Sequence, residues 1–512
     1  MHEPNLTDNT PVIIGAGQHV ERPGDVSHAP LHSPMELAAA ASRAALDDAG
    51  VSAREIDTIA VIRLFSDAAK AWASPFGGSN NPPESVARRI GATPVRRVYS
   101  NVGGTEPLQL MMELLQAIAR GETRMALLTG AEAIANQRFA MRHGVGLDWR
   151  EEFDAPLDDR VSLKRMVSPA ELASGLSLPV HYYGLIENCQ AHAMGHDLHR
   201  HRRYMAQMLA PFSTVAAANP FAQSPRAFTA GELEQVSSEN YPLSLPYSKW
   251  LVAQDAVNQS SALLLTSVGA ARRLGVDPRQ WIFSEAYAQA QDHYLSQRVD
   301  PGRSTAMQRV LDATLEMAGA SAGEMDLIDL YSCFPCAVHA ACEVLGLPTD
   351  GSRALTVTGG LPYFGGPGNS YSLHALAEVA VRLRGTPARA LVTANGGMLS
   401  KHAAVVLGGA AARASTIAWN DLDSRNPDCG EIPELPATDN PRQGVIVSYT
   451  VIPRRDKPDI GIVLAETAGG ERFLASSTAA GITGAMQDYD PIGRRIEVQL
   501  QDARQVFSFH GA

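Results

Sequence analysis

The chain has 512 residues, too many for one hydrophobic core, so two or three domains are expected. Its 45% hydrophobic and 19% charged content is that of a folded globular protein, and a formal net charge of −11 with no basic stripe argues against a nucleic-acid binder. No apolar run reaches the roughly 18 residues that span a bilayer, the start "MHEPNLTDNT" lacks the features of a signal peptide, and five cysteines do not pair into a disulfide framework. A cytoplasmic protein with no membrane span is expected.

In chain order, "TPVIIGAGQHV" is a short apolar strand ending in glycines, and "HSPMELAAAASRAALDDAGV" is a helix with both ends written into it. Ser33 is the N-cap, Pro34 lies in the first turn, Glu36 completes a capping box and Gly50 stops the helix. "IDTIAVIRLF" then reads as a buried strand and "PPESVARRIG" as a short helix, an alternation that implies a mostly parallel sheet covered on both faces. Residues 135–250 form an insertion rich in His, Arg and aromatics, with helices expected at "LPVHYYGLIENCQAHAMG" and "LHRHRRYMAQMLAPFSTVAAANP". The basic run "HDLHRHRRYM" reads as a solvated helix face.

An internal repeat organises the rest. "ARGETRMALLTGAEA" (119–133) matches "LRGTPARALVTANGG" (383–397) without a gap. Each copy follows a helix, and each helix follows a glycine loop, "YSNVGGTEP" in the first case and "FGGPGNSY" in the second. Strand, loop, helix and strand thus occur twice, as in a duplicated domain. From about residue 415 the texture changes: "NPDCGEIPELPATDNPRQG" is linker-like, and "GVIVSYTVIP", "IGIVLAETAGGERFLASS" and "GRRIEVQLQ" are short strands of an all-β appendix sized for a five-stranded barrel. The expected divisions are residues 1–285, 286–414 and 415–512.

The two loops, together with "PVIIGAGQ", "VNQSSALLLTS", "LIDLYSCFP" and "ALVTANGG", resemble the thiolase superfamily, and more narrowly the sterol-carrier-type thiolases and thiolase-like proteins with an extra C-terminal β domain. The resemblance spans about residues 10–412 and implies an α/β fold: a duplicated five-layer αβαβα core, here with a small OB-like barrel appended. It implies an acyl-CoA thioester as substrate, no other cofactor, and a homodimer unless the extra domain blocks that surface.

The catalytic motifs depart from the family pattern. "SNVGGTEPL" has no nucleophilic Cys, the expected oxyanion-holding His is replaced within Tyr331-Ser332-Cys333-Phe334, and Gly366 stands where a basic His belongs. Ala394 occupies the fourth position, a Cys in the family. A positioned general base is worth about 10²- to 10⁴-fold in rate, so standard Claisen chemistry needs replacements.

Three residues are candidates. Tyr331 can hold an oxyanion or exchange a proton with a β-hydroxyl, and thiolase-like relatives that cleave β-hydroxyacyl-CoA by retro-aldol chemistry resemble this chain in having Tyr there. A buried tyrosine with a satisfied hydroxyl is the structural alternative. Cys333 is a relocated nucleophile if the following helix lowers its pKa, or else a small buried hydrophobe. His374, one turn into the second loop's helix, can replace the lost base if that face points inward.

Asn369, Gly366, Gly396 and Gly397 are expected to line the substrate site, and Lys401 and His402 to meet the phosphates of CoA. No metal is expected: on one helix Cys333 and Cys342 would lie about 13.5 Å apart along the axis. Three functions stay open: a C–C bond acyltransferase, a retro-aldol lyase on a β-hydroxyacyl-CoA, and a non-catalytic acyl-CoA or lipid binder.

Overall fold

Two sheets and three helical layers alternate through the core. The computed structural model describes residues 6–22, 31–161, 166–409, 432–502 and 504–511. The first sheet runs in the order Pro11–Val20, Asn258–Ser267, Met125–Ala133, Thr58–Val61, Arg96–Tyr99, Asp158–Asp159. The last four of these pair in parallel and the first two pairings are antiparallel. The second sheet orders Leu327–Asp329, Arg389–Gly396, Lys401–Gly408 and Phe283–Gln291.

Helices Glu106–Ala119 and Tyr371–Leu383 lie between the sheets, each launched by its glycine loop. Pro34–Ala49 covers the outer face of the first sheet, and Thr305–Ala318, with Pro335–Leu345 beside it, covers the second. The five-layer αβαβα core and its duplication are therefore as the sequence implies. Near-continuous apolar strands follow from this arrangement, since each sheet is buried on both faces: Val12, Ile59, Leu127, Leu264 and Val405 are all fully inaccessible. The helix Pro34–Ala49 carries its capping box at Ser33 and Glu36 and ends at Gly50 in a left-handed conformation, φ 67°.

The C-terminal strands Gln443–Ile452, Ile460–Glu466, Arg472–Ser477, Arg504–Phe509 and Arg495–Gln501 close into a barrel. A helix, Ala480–Asp488, interrupts it where only strands were expected. The boundary placed near residue 415 and the start of the linker-like segment, up to residue 431, lie outside the described residues.

The insertion supplies Pro179–Ala193 and Leu198–Ala218. The first of these packs on the barrel strand Gln443–Ile452 and joins it through buried polar bonds. Asn188 Nδ2 donates to the carbonyls of Tyr449 at 2.8 Å and Leu245 at 3.1 Å, and Ser244 and Thr450 share a hydroxyl–hydroxyl bond of 2.8 Å. Among the described residues no helix is long and apolar enough to cross a membrane.

Candidate functional site

The duplication brings the two glycine loops together at the ends of the central helices. Asn369, at the tip of the second loop, accepts the N–H of Gly103 at 3.0 Å and donates to the carbonyl of Arg63 at 2.8 Å. Ser372 in the next turn donates to the carbonyl of Gly104 at 2.9 Å. The first loop is thus fixed by side chains from the other half.

Tyr331 follows the strand Leu327–Asp329 and is anchored by its own N–H, which donates to Thr393 Oγ1 at 2.9 Å. Its hydroxyl reaches the first loop at Gly104: a methyl group added there would collide with Tyr331 Oη and with the carbonyl oxygen of Asn395. Burial raises the phenol well above its ordinary pKa. Edge-on to this ring, 5.3 Å away between centroids, stands Tyr371.

Cys333 sits two residues on, buried, with Asn395 Nδ2 at 3.5 Å from Sγ. The same amide donates to Tyr183 Oη at 2.9 Å, and Tyr183 stacks on Phe334 with centroids 4.0 Å apart. Burial pushes the Cys333 thiol up to about 11, opposite to the lowering a nucleophile needs. The helix start at Pro335 does not reverse this. Between Tyr331, Thr393, Asn395 and His402 lies a cavity of about 20 Å³, room for one water.

His374 does not join this group. Its face of the helix turns to the first strand of the first sheet, where Nδ1 lies 2.8 Å from Gln18 Oε1 and the ring packs on Phe364. Full burial holds it down to about 3, so it is neutral and cannot take up a proton at physiological pH. The expected base is thereby corrected: the condition that its face point to the loop mouth is not met.

The glycine amides are likewise occupied. Gly366 N–H donates to the carbonyl of Gln254 at 2.7 Å, and Gly368 N–H to that of Gly366 at 2.8 Å, which leaves neither donor for a ligand. Gly396 is a close-approach glycine: a Cβ there would sit 3.2 Å from the Gly104 nitrogen. Gly397 adopts φ +62° and turns the chain toward Lys401. Gly396 thus serves the contact with the first loop, whereas Gly397 is partly exposed.

Lys401 also faces inward, donating to the carbonyl of Val102 at 3.3 Å. His402 is 3% exposed and bonded to Ser304 Oγ at 3.0 Å, with Asp292 beyond it at 2.8 Å from that hydroxyl. A ring so enclosed, held down to about 4 by burial, cannot meet a phosphate. The assignment of His402 to a CoA phosphate is corrected accordingly.

Two carboxyl groups escaped the sequence reading. Glu106, the first residue of its helix after the loop, is buried, and burial raises its pKa against the opposing charge of Lys401. Glu132 ends the strand Met125–Ala133; its Oε1 accepts the N–H of Phe65 at 2.7 Å and lies directly against Gly368 of the second loop. Burial raises it to about 8, with Asp67 and Asp255 adding to the effect. The available signal was an acid closing an otherwise apolar strand, "MALLTGAEA".

A larger cleft, of about 460 Å³, separates the core from the barrel and is walled by Ala170, Tyr294, Phe473, Leu474 and Arg504. Among the described residues no group of three or more His, Cys, Asp or Glu could hold a metal ion.

No family model matches the chain, and none of the curated proteins does. Solved structures do. A monomeric SCP2-thiolase-like protein type 1 from Mycobacterium smegmatis is 33% identical, with a TM-score of 0.82 over 98% of this chain and 100% of its own. The Ltp2-ChsH2(DUF35) aldolase is similar at 19% identity and TM-score 0.55, covering 79% of this chain and 98% of that one. Human mitochondrial 3-ketoacyl-CoA thiolase in complex with CoA is similar at 16% identity and TM-score 0.52, covering 78% and 98%. The last two likenesses show the fold alone.

Proposed function

Because the chain belongs to the SCP2-thiolase-like proteins, we propose that it binds acyl-CoA thioesters without forming an acyl-cysteine intermediate. The observation that carries this reading is the closure at Gly104. Tyr331 Oη and the Asn395 carbonyl fill the volume that any side chain on the crest of the first loop would need. A thiolase-type nucleophile has no place there.

Cys333 is a poor substitute. Its neighbours, the Asn395 amide and the Tyr183 hydroxyl, orient the thiol but do not accept its proton readily. Nucleophile, base and oxyanion donor act as a unit in such chemistry, so a thiol without a base loses most of the rate.

The position of Tyr331 favours a second reading. A hydroxyl at the loop crest is placed to hold or exchange the proton of a β-hydroxyl, as retro-aldol cleavage of a β-hydroxyacyl-CoA requires. Such cleavage releases a ketone or aldehyde and leaves no covalent adduct.

Intact-mass measurement after brief exposure to a panel of acyl-CoAs, with products analysed in parallel and binding followed by calorimetry, tests both. Binding with neither adduct nor product supports the first reading. Cleavage products without an adduct support the second. An acyl adduct that disappears in Cys333→Ala overturns both.

A further inference from the structure

Two motifs stand apart from the loops: the histidine cluster of the insertion and the second cysteine of "CFPC". The fold joins them. Cys336, in the first turn of the helix Pro335–Leu345, is fully buried, and its Sγ lies 3.4 Å from Tyr247 Oη. Tyr247 Oη donates to Glu187 Oε2 at 2.8 Å. The other oxygen of that carboxyl, Oε1, is 2.7 Å from His201 Nε2, and His201 Nδ1 is 3.4 Å from His196 Nδ1. Glu187, His201 and Tyr247 are each at most 1% exposed, whereas His196 is only partly buried and lines a surface groove with His199, Arg200 and Arg203.

We propose that Tyr247, Glu187, His201 and His196 form a proton relay that connects the buried thiol of Cys336 to solvent. Each member can both donate and accept: the Tyr247 hydroxyl through its one oxygen, the carboxyl of Glu187, carrying a proton on Oε1 in the relay, through its two oxygens, and each imidazole through its two nitrogens. The thiol donates to Tyr247, Tyr247 to Oε2 of Glu187, Oε1 of the carboxyl to Nε2 of His201, and Nδ1 of His201 to Nδ1 of His196. When His196 passes a proton to water from its second nitrogen, each proton in the set moves across one hydrogen bond, and a solvent proton returns by the reverse shift. No bond between heavy atoms changes and no oxidant is involved.

The cost of the arrangement is a reason to see it as more than packing. A carboxyl and an imidazole enclosed together forgo their hydration, and apolar residues of equal volume would commonly stabilise as well. The groups facing His201 are Glu187 from the helix Pro179–Ala193, Tyr204 from its own helix, His196 from the preceding turn and His339 from the helix of Cys336, and Arg200 lies near His196. Tyr204 in turn bonds His339 Nδ1 at 2.7 Å, so the relay is held between two elements of the insertion and one of the core. Among the described residues Cys333 has no such path. Cys336 is therefore the thiol near the loops whose proton can exchange with solvent without the insertion opening.

The test is the exchange of S–H for S–D after transfer to heavy water, read from the S–H stretching band in the infrared. The Cys336 band is identified by its loss in Cys336→Ala. Cys342, 2% exposed on the same helix and with no hydrogen-bonded side chain among the described residues, is the internal standard for exchange by local opening. The relay requires Cys336 to exchange at least about tenfold faster than Cys342. Tyr247→Phe and Glu187→Gln must each bring it down to the rate of Cys342; should one of them not fold, the other decides. Equal rates at the two cysteines, or fast exchange that survives the folded variants, overturn the proposal.

Discussion

Asn369 Oδ1 and the amide of Gly103 lie 3.0 Å apart, the side chain belonging to one half of the duplicated core and the backbone to the other. The bond is buried, and so is its companion from Asn369 Nδ2 to Arg63. Asn369→Ala strands a donor and an acceptor, each costing about 1–3 kcal/mol. Thermal or denaturant unfolding should show a destabilisation of about 2–6 kcal/mol. Asn369→Asp keeps the acceptor toward Gly103 but sets a buried carboxylate oxygen against the Arg63 carbonyl, so it should be no more stable than Asn369→Ala.

Gly104 tests whether the loop crest is closed as described. Gly104→Ala forces a methyl against Tyr331 Oη and the Asn395 carbonyl, and should destabilise by about 3 kcal/mol, the upper end of overpacking penalties. Adding Tyr331→Phe removes the collision with the hydroxyl but leaves those with the ring carbon Cζ and the Asn395 carbonyl. The double variant should therefore recover only part of the loss in the same unfolding measurement.

Glu132 sets a pH dependence whose direction follows from its raised pKa. The folded state keeps the proton up to about 8 while the unfolded chain releases it near 4.5. Between these values the folded form binds more protons, so the contribution to stability is complete below 4.5 and is lost as pH rises through about 8. The slope is about 1.4 kcal/mol per pH unit for one group. Glu132→Gln, which preserves an oxygen for the Phe65 amide, should abolish that slope. Parallel unfolding curves at pH 5 and pH 8 would show the variant gaining on the parent at the higher pH; an unchanged difference would refute the assignment.

The strand Asp158–Asp159 pairs with Arg96–Tyr99 at the border of the first sheet, and Arg63 holds Asp159 there. The border strand is two residues long, exposed and doubly acidic, which blunts the sheet edge against pairing with a second copy. Light scattering should give the mass of one chain across a wide concentration range.

How far the sequence carried this picture depends on the range of the forces involved. The helix Pro34–Ala49 was legible to the residue because its signals, Ser33, Glu36 and Gly50, act within one turn. The duplication was legible because it repeats a string, and the barrel because turn glycines punctuate short apolar runs. His374 could be placed on its helix but not aimed, since periodicity does not say that Gln18 stands opposite. Gly366 was expected to line the substrate site, and the sequence does not show that its amide finds a partner at Gln254, more than a hundred positions away. Glu132 looked like an ordinary acid until the fold laid Gly368 across it.

The bonds from Asn188 and Thr450 across the barrel boundary bear on how such a chain can change over generations. A module attached through a solvated linker can be lost, shuffled or handed to a separate gene with little penalty. Here its removal would take from Asn188 the nearer of its two carbonyls and from Ser244 the hydroxyl it is bonded to, and the core does not readily leave such polar groups unmatched. The barrel has become part of the inheritance of the whole molecule, to be kept or given up together with the insertion that holds it.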